Sequence, residues 1–405
     1  MSMLFALLGL AVLVLAHEAG HFVTAIATRM RPQRFYVGFP PALAKIERGG
    51  VEYGIGAIPL GGYVKIPGMF RPSARDVSLY FEPALKEDSE LGPHLQTLRE
   101  ELEQGRFDSA RGSLEGLERQ LARAKLSPAS TRLANRGLDE LGGALRRDSY
   151  WSQQAWKRFV VIGSGPVTNL LIAIAIFAAL LMLTTYRVGF NPVVNEKTKE
   201  VTTVVRRVIP GTPAQRAGLH RGDVVITVNG EKVSGTTLIN RIAGSGGRPI
   251  TFTVRRQGRL VKLRVVTPMK ISGDSLPVAI GGAAELGWRV TRDIVVNGLG
   301  RLFVGRGTKE VSGPVGIVKG SSDAYKQGFA DYLWIVGLIS LSLGVLNLLP
   351  LLPLDGGHIA FTAIERVSGR VIPREIYERV SMIGIVLVAI LFVLGISNDV
   401  GRISG

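Results

Sequence analysis

Residues 4–16, LFALLGLAVLVLA, carry no charge and run straight into His17-Glu18-Ala19-Gly20-His21. Apolar character resumes with Phe22, Val23, Ala25, Ile26 and Ala27. Residues 3–28 therefore predict a transmembrane helix, somewhat longer than the ~20 residues a bilayer needs. The run has no basic n-region and no small-x-small cleavage site, which separates it from a removable signal. Two histidines four apart share one helix face, so both imidazoles can reach one Zn²⁺. Glu18 between them can act on water as general base. Ionisable groups inside a membrane helix are costly and usually functional, which favours metal ligation over a structural pair. At the helical rise the histidines lie about 20 Å from the start, in the second half of the span.

The 405 residues suffice for two or three domains, and 46% of them are hydrophobic. There is no cysteine, so thiolate sites and disulfides are excluded and any metal must use His, Asp or Glu. Only His17, His21, His94, His220 and His358 offer imidazoles. Net charge is +17, and residues 187–331 hold 23 Lys+Arg against 10 Asp+Glu. With no nucleic-acid motif in the chain, that excess fits a soluble domain near an anionic lipid surface. No Lys or Arg precedes the first span, whereas Arg29, Arg31, Arg34, Lys45 and Arg48 follow it. The positive-inside rule then puts the N-terminus outside and the histidines nearer the cytoplasm.

Residues 51–66, VEYGIGAIPLGGYVKI, read as an edge-exposed β-hairpin with turn signals at Pro59 and Gly61-Gly62. It is either an ordinary surface hairpin or a re-entrant, substrate-facing one. Residues 71–150 change in kind, with 13 basic and 14 acidic side chains and leucines at helical spacing. Stripes at Leu91/Leu95/Leu98/Leu102, Leu114/Leu117/Leu121 and Leu138/Leu141/Leu145 predict a soluble insert of about three helices, with its own core. Residues 159–185 form the second span, whose Gly163-Ser164-Gly165-Pro166 allows close helix approach.

Strand-like runs at 201–208, 224–228, 250–254 and 260–266 surround GTPAQRAGLHRGD and the tight turn Asn229-Gly230. Pro213-Ala214, Ala217-Gly218-Leu219, Gly222-Asp223 and Val228-Asn229-Gly230 resemble a PDZ domain of the bacterial, circularly permuted kind. His220 falls on an exposed turn. Ser312-Gly313-Pro314-Val315-Gly316 leads to a third span at 332–349 and then NLLPLLPLDGGH, residues 347–358. Pro350 and Pro353 must break the helix. Broken backbone at membrane depth needs protein or a polar cavity around it, so Asp355 sits at a broken helix end. Asp355 is the strongest third ligand candidate; a helix N-cap is its plain alternative and His358 is a rival ligand. Arginines 366, 370, 374 and 379 mark the cytoplasmic side again, and 382–396 is a short fourth span.

HEAGH in a first span, GGYV, GPVTN in the second span, one PDZ-like segment and NLLPLLPLDGG together resemble the site-2 protease family, of the bacterial regulator-of-sigma-E type. The resemblance covers nearly the whole chain except 71–150, and the pairing of HExxH with NxxPxxxLDG is highly specific. It implies that His17, His21 and Asp355 bind Zn²⁺ and that Glu18 activates water. It implies that Asn347 and Asn169 are polar helpers near the scissile bond, and that Gly61, Gly62, Tyr63 and Val64 clamp substrate. The implied activity is cleavage of membrane-embedded regulators such as anti-sigma factors, in a bacterial inner membrane, with both termini extracytoplasmic. Two departures stand out: a single PDZ-like segment where such relatives often have two, and the insert.

The expected fold class is an α-helical polytopic membrane protein of four spans with an edge hairpin, one extracytoplasmic PDZ domain and a cytoplasmic helical insert. The expected domains are 1–70 (first span and hairpin), 71–150 (insert), 151–190 (second span), 191–275 (PDZ domain), 276–331 (connection) and 332–405 (last two spans). The competing classes are a metal transporter and an inactive PDZ-bearing scaffold. The lack of an evident inverted repeat weighs against the first, and intact Glu18 and histidines against the second.

Overall fold

Among the described residues, four helices are long and apolar enough to cross a membrane: α1 (Ser2–Ala27), α6 (Ala155–Met182), α11 (Phe329–Asn347) and α13 (Arg374–Ser404). Apolar residues such as Val23, Leu171 and Ile383 stay on their surfaces, as lipid-facing helices require. The first three lie within a few residues of the expected spans. The fourth is twice as long as the expected 382–396. Its first turns are polar but helix-forming, and ion pairs from Arg75 to Glu375 and from Asp76 to Arg374 hold them. The computed structural model describes residues 1–183, 185–188, 190–194, 201–245, 247–265, 269–271, 274–295 and 311–404. They form two compact units, Leu10–Leu170 with Ser342–Val393, and Met1–Gly9 with Leu171–Leu341 and Leu394–Gly405.

In the first unit, β1 (Arg34–Arg48) and β2 (Val51–Lys65) form a curled sheet. This corrects the expected hairpin at 51–66. The reversal lies at Gly49-Gly50, both with φ near +70°, where glycine is uniquely free of steric cost. Residues 34–37 face 52–55 on one side and 62–65 on the other. Residues 51–56 and 62–65 therefore do not pair with each other; β1 is inserted between them. The run RFYVGF at 34–39 carries the aromatic and β-branched signal for that inserted segment. Residues 62–65 form an outer edge of this sheet, with no strand on their far side among the described residues.

The insert contains four helices, not three: α2 (Ala74–Glu87), α3 (Gly92–Glu103), α4 (Phe107–Leu121) and α5 (Pro128–Ala144). The extra helix α2 has no leucine stripe; it buries Val77, Tyr80, Phe81 and Ala84, the same helical spacing in other residues. These meet Leu95, Leu98, Leu114, Leu117 and Leu141 in one core, so the leucine stripes are used internally. The last helix of this unit besides α13 is α12 (Asp355–Ser368), which starts right after the Pro350/Pro353 break.

In the second unit, β3 (Thr185–Arg187) pairs with β10 (Met269–Ile271). The larger sheet runs β4-β5-β6-β8-β9, with β7 on β6: β4 (Phe190–Val194), β5 (Val201–Val208), β6 (Val224–Val228), β7 (Glu231–Lys232), β8 (Ile250–Arg256) and β9 (Arg259–Val265). The four expected strands are present, the last ending at Val265; Val266 lies outside the described residues. Helices α7 (Pro213–Arg216) and α8 (Gly235–Ala243) close the core, where Val205, Leu219, Val225, Leu238, Ile250 and Phe252 are buried. Asn229 and Gly230 both have positive φ and make the two-residue turn between β6 and β7. Asp223 is 1% exposed and pairs with Arg256 at 2.7 Å. Helices α9 (Leu276–Arg292) and α10 (Pro314–Gln327) follow. The SGPVG motif is the start of α10. Its Gly313 and Gly316 N–H groups donate to the Asp399 carboxylate at 3.1 and 2.7 Å, satisfying donors a helix start leaves open.

Candidate metal centre

Helix α1 presents His17 and His21 one turn apart, 9% and 7% exposed. Their Nε2 atoms face each other at 3.2 Å. Asp355, in the first turn of α12, brings its Oδ2 to 3.2 Å from His17 Nε2 and 3.4 Å from His21 Nε2. The helix cap is Leu354, so Asp355 is not the N-cap that was its alternative reading. Oδ2 is buried and has no hydrogen-bond partner. Two ring nitrogens and an orphaned carboxylate oxygen at mutual distances of 3.2–3.4 Å form a triangle of donors. Three corners of a tetrahedron about Zn²⁺, with bonds of roughly 2.0–2.1 Å, are about 3.3 Å apart, so the donors fit that ion in number, type and spacing.

The surroundings fix each ring. His21 Nδ1–H donates to the Val161 carbonyl of α6 at 2.8 Å, which leaves Nε2 as the unprotonated nitrogen. The Asn169 side-chain amide lies 3.3 Å from His17 Nδ1. Asn169 is 1% exposed, so it abuts a ligand candidate from behind and does not stand in an open cleft. Close approach of α6 depends on a missing side chain. A Cβ at Gly165 would collide with His21 Nε2 and stand 2.8 Å from His17 Cε1. A Cβ at Gly20 would stand 2.8 Å from the Ser164 carbonyl.

Glu18, on the same helix, points to the sheet edge. The β2 residues 62–65 reach it directly: a Cβ on Gly62 would lie 2.8 Å from Glu18 Cγ, and the backbone of Val64 hydrogen-bonds its carboxylate. Tyr63 stacks on Tyr36 with ring centroids 5.2 Å apart. Gly61, with φ +127°, begins this edge segment. Asn347 is the half-buried last residue of α11, at the start of the broken segment leading to Asp355. His358 lies outside the donor triangle and lines a small cavity with Phe70 and Tyr377. Sequence reasoning missed the Val161 carbonyl and the contact of Gly165 with both rings. A carbonyl has no sequence signature; the GSGP run signalled close packing but not its target.

A membrane-length helix carrying two nitrogen donors and a carboxylate, completed by an aspartate from a broken helix, is the architecture of a membrane-embedded metallopeptidase. Residues 5–391 match the model of Peptidase family M50, and the chain belongs to that family. It is 27% identical to the zinc metalloprotease RasP of Geobacillus kaustophilus, over 96% of this chain and 95% of that protein. It is equally identical to the probable protease eep of Enterococcus faecalis, over 96% of each. A putative zinc metalloprotease of Brucella suis is 27% identical over 94% of this chain and 89% of its own.

Proposed function

We propose that the chain is an intramembrane zinc metalloendopeptidase that cuts transmembrane segments of membrane-anchored regulators, with anti-sigma factors as the expected class. The observation that carries this reading is the donor triangle of His17, His21 and Asp355 beside Glu18 and an open strand edge. His17, His21 and Asp355 hold the metal. A Zn²⁺ ion held by them would supply Lewis-acid polarisation for the scissile carbonyl. Glu18 takes the proton of the attacking water on its carboxylate and returns it to the leaving amine nitrogen. Val161 and Asn169 hold the imidazoles in the required orientation. A peptide bond in a transmembrane helix is shielded by its own hydrogen bonds. Residues 62–65, with Gly61 before them, offer replacement main-chain partners by strand addition, and Tyr63 and Val64 position the unwound segment. Asn347 is a polar helper at the mouth of the site.

The segment 191–275 is an extracytoplasmic PDZ domain acting as an access filter. The supporting observations are its six-stranded sheet, two helices and the PDZ-like residues around Pro213, Gly222 and Asn229. The arginines after α1 and around α12 support a bacterial inner-membrane arrangement with both termini outside, the metal centre toward the cytoplasm and the insert 71–150 on that side. The test is cleavage of a transmembrane substrate in detergent. Wild type should cut and Glu18→Gln should fall by about 10²–10⁴-fold; unchanged cleavage by Glu18→Gln would exclude a peptidase centred on this site and reopen the transporter and scaffold readings.

A further inference from the structure

The insert walls a cavity that continues from the substrate edge. The end of β2 from Tyr63 to Lys65 and the next residue, Ile66, line one side of a cavity of about 410 Å³, and α2 and α5 of the insert line another. Ion pairs join the walls. Lys65 at the end of β2 pairs with Asp139 and Glu140 of α5, at 2.8 and 3.1 Å, and Arg374 pairs with Asp76 of α2. Lys65 is shared by two carboxylates and Arg374 by Asp76 and Glu378, but of these only Asp76 and Glu140 line the cavity, against four cations, Lys65, Arg71, Arg136 and Arg374. Arg136 of α5 also lines it, is exposed, and enters no ion pair among the described residues. Arg71 lines it too, with its guanidinium 4.8 Å from the Phe107 ring centroid and 5.7 Å from that of Trp151, and likewise no carboxylate partner among the described residues. The lining thus carries two more cations than carboxylates in a concave site, where low-dielectric walls focus their potential. The strand approaches Glu18 at Gly62, and the residue after its end, Ile66, borders the cavity. Four residues of extended chain cover about 13 Å.

We infer that this cavity is a subsite for an acidic side chain of the substrate, about four residues from the scissile bond on the side where the edge strand runs toward the insert. The inference rests on the strand-addition reading above and gives the insert a role in substrate choice. A chain paired with residues 62–65 runs on past Lys65 into the cavity, where a Glu or Asp side chain meets Arg136 and Arg71. A basic residue at that position is repelled. Arg136 sits on the exposed face of α5, so its replacement leaves the insert core intact.

The experiment uses full-length protein in detergent and a fluorescent transmembrane peptide in which one Glu is moved through positions two to seven from the cut. Dissociation constants are measured with the Glu18→Gln variant, and kcat/KM with the active protein. The expected result is a maximum at about position four, with three- to tenfold tighter binding than the Gln peptide. Arg136→Gln should flatten that maximum without changing affinity for the Gln peptide, and Arg136→Glu should move the preference to Lys. A flat scan, or an Arg136→Gln loss equal for all peptides, overturns the subsite. Binding with the expected maximum but no cleavage by the active protein would instead leave the subsite standing and sink the peptidase reading.

Discussion

Three donor atoms of the candidate centre come from two elements, and their spacing depends on residues that donate nothing. Asp355 Oδ2 is orphaned and faces two ring nitrogens, an arrangement that costs free energy unless a cation satisfies it. Purified protein should therefore contain about one zinc per chain, and Asp355→Ala should lose most of it, since one of three ligands is gone. Gly165→Ala makes a sharper test. It leaves every donor in place but inserts a methyl group where both imidazoles pack. Overpacking of this kind costs about 1–3 kcal/mol, and here the rings themselves must move. Zinc content by elemental analysis should fall in Gly165→Ala while Gly163→Ala, which faces only a distant Ile359 side chain, retains it. Equal zinc in both variants would show that α6 does not set the ring positions.

At the scale of elements, the edge of β2 distinguishes neighbouring residues. The Lys65 carbonyl accepts from Gln33 N–H, so Lys65 faces into the sheet. Strand alternation then turns Val64 outward, consistent with its backbone contact to Glu18. Val64→Pro removes an outward donor, whereas Tyr63→Pro disturbs the ladder side. Cleavage should fall strongly in Val64→Pro with a small change in thermal midpoint, both should fall in Tyr63→Pro, and alanine at either position should do much less. Activity that merely tracks the midpoint across the four variants would make the edge a structural element only. The β6–β8 pair offers a pH test. Burial alone would raise the Asp223 carboxyl, but the Arg256 guanidinium and the His220 N–H hold it below the usual carboxylate range. A depressed native pKa means that the stabilisation is present above the unfolded value of about 3.9 and is lost as pH falls through it toward the native value. Amide exchange of β6 and β8 should accelerate in that acid window. Asp223→Asn should be less protected by about 1–3 kcal/mol at neutral pH and lose the acid dependence.

At the scale of the molecule, the proposed chemistry and the proposed filter use separate parts of the chain. All donors, Glu18 and the edge strand belong to one compact unit, and the six-stranded sheet belongs to the other. Removing residues 200–270 should leave zinc content and cleavage of a short, pre-trimmed substrate intact, while cleavage of an untrimmed substrate changes. Loss of cleavage of the short substrate by a folded, zinc-loaded deletion variant would reject the filter role.

HEAGH between apolar runs, the LDG motif after a proline break, four spans and most strands were legible because each rests on local periodicity or on a short motif. The span ends of α13, the fourth helix of the insert and the true reversal at Gly49-Gly50 were not. Ion pairs from the insert extend α13, α2 buries aromatics in place of a leucine stripe, and β1 enters between two halves of β2. The sequence by itself determined which atoms are available to hold a metal: with no cysteine, only nitrogen and oxygen donors, two of them one helical turn apart. Only the tertiary structure decided that Asp355 Oδ2 completes the triangle and His358 does not, and that Asn169 stands behind a ring. Those outcomes depend on how closely α6 and α12 approach α1, and that distance is set by absent side chains and a carbonyl, which no residue pattern encodes.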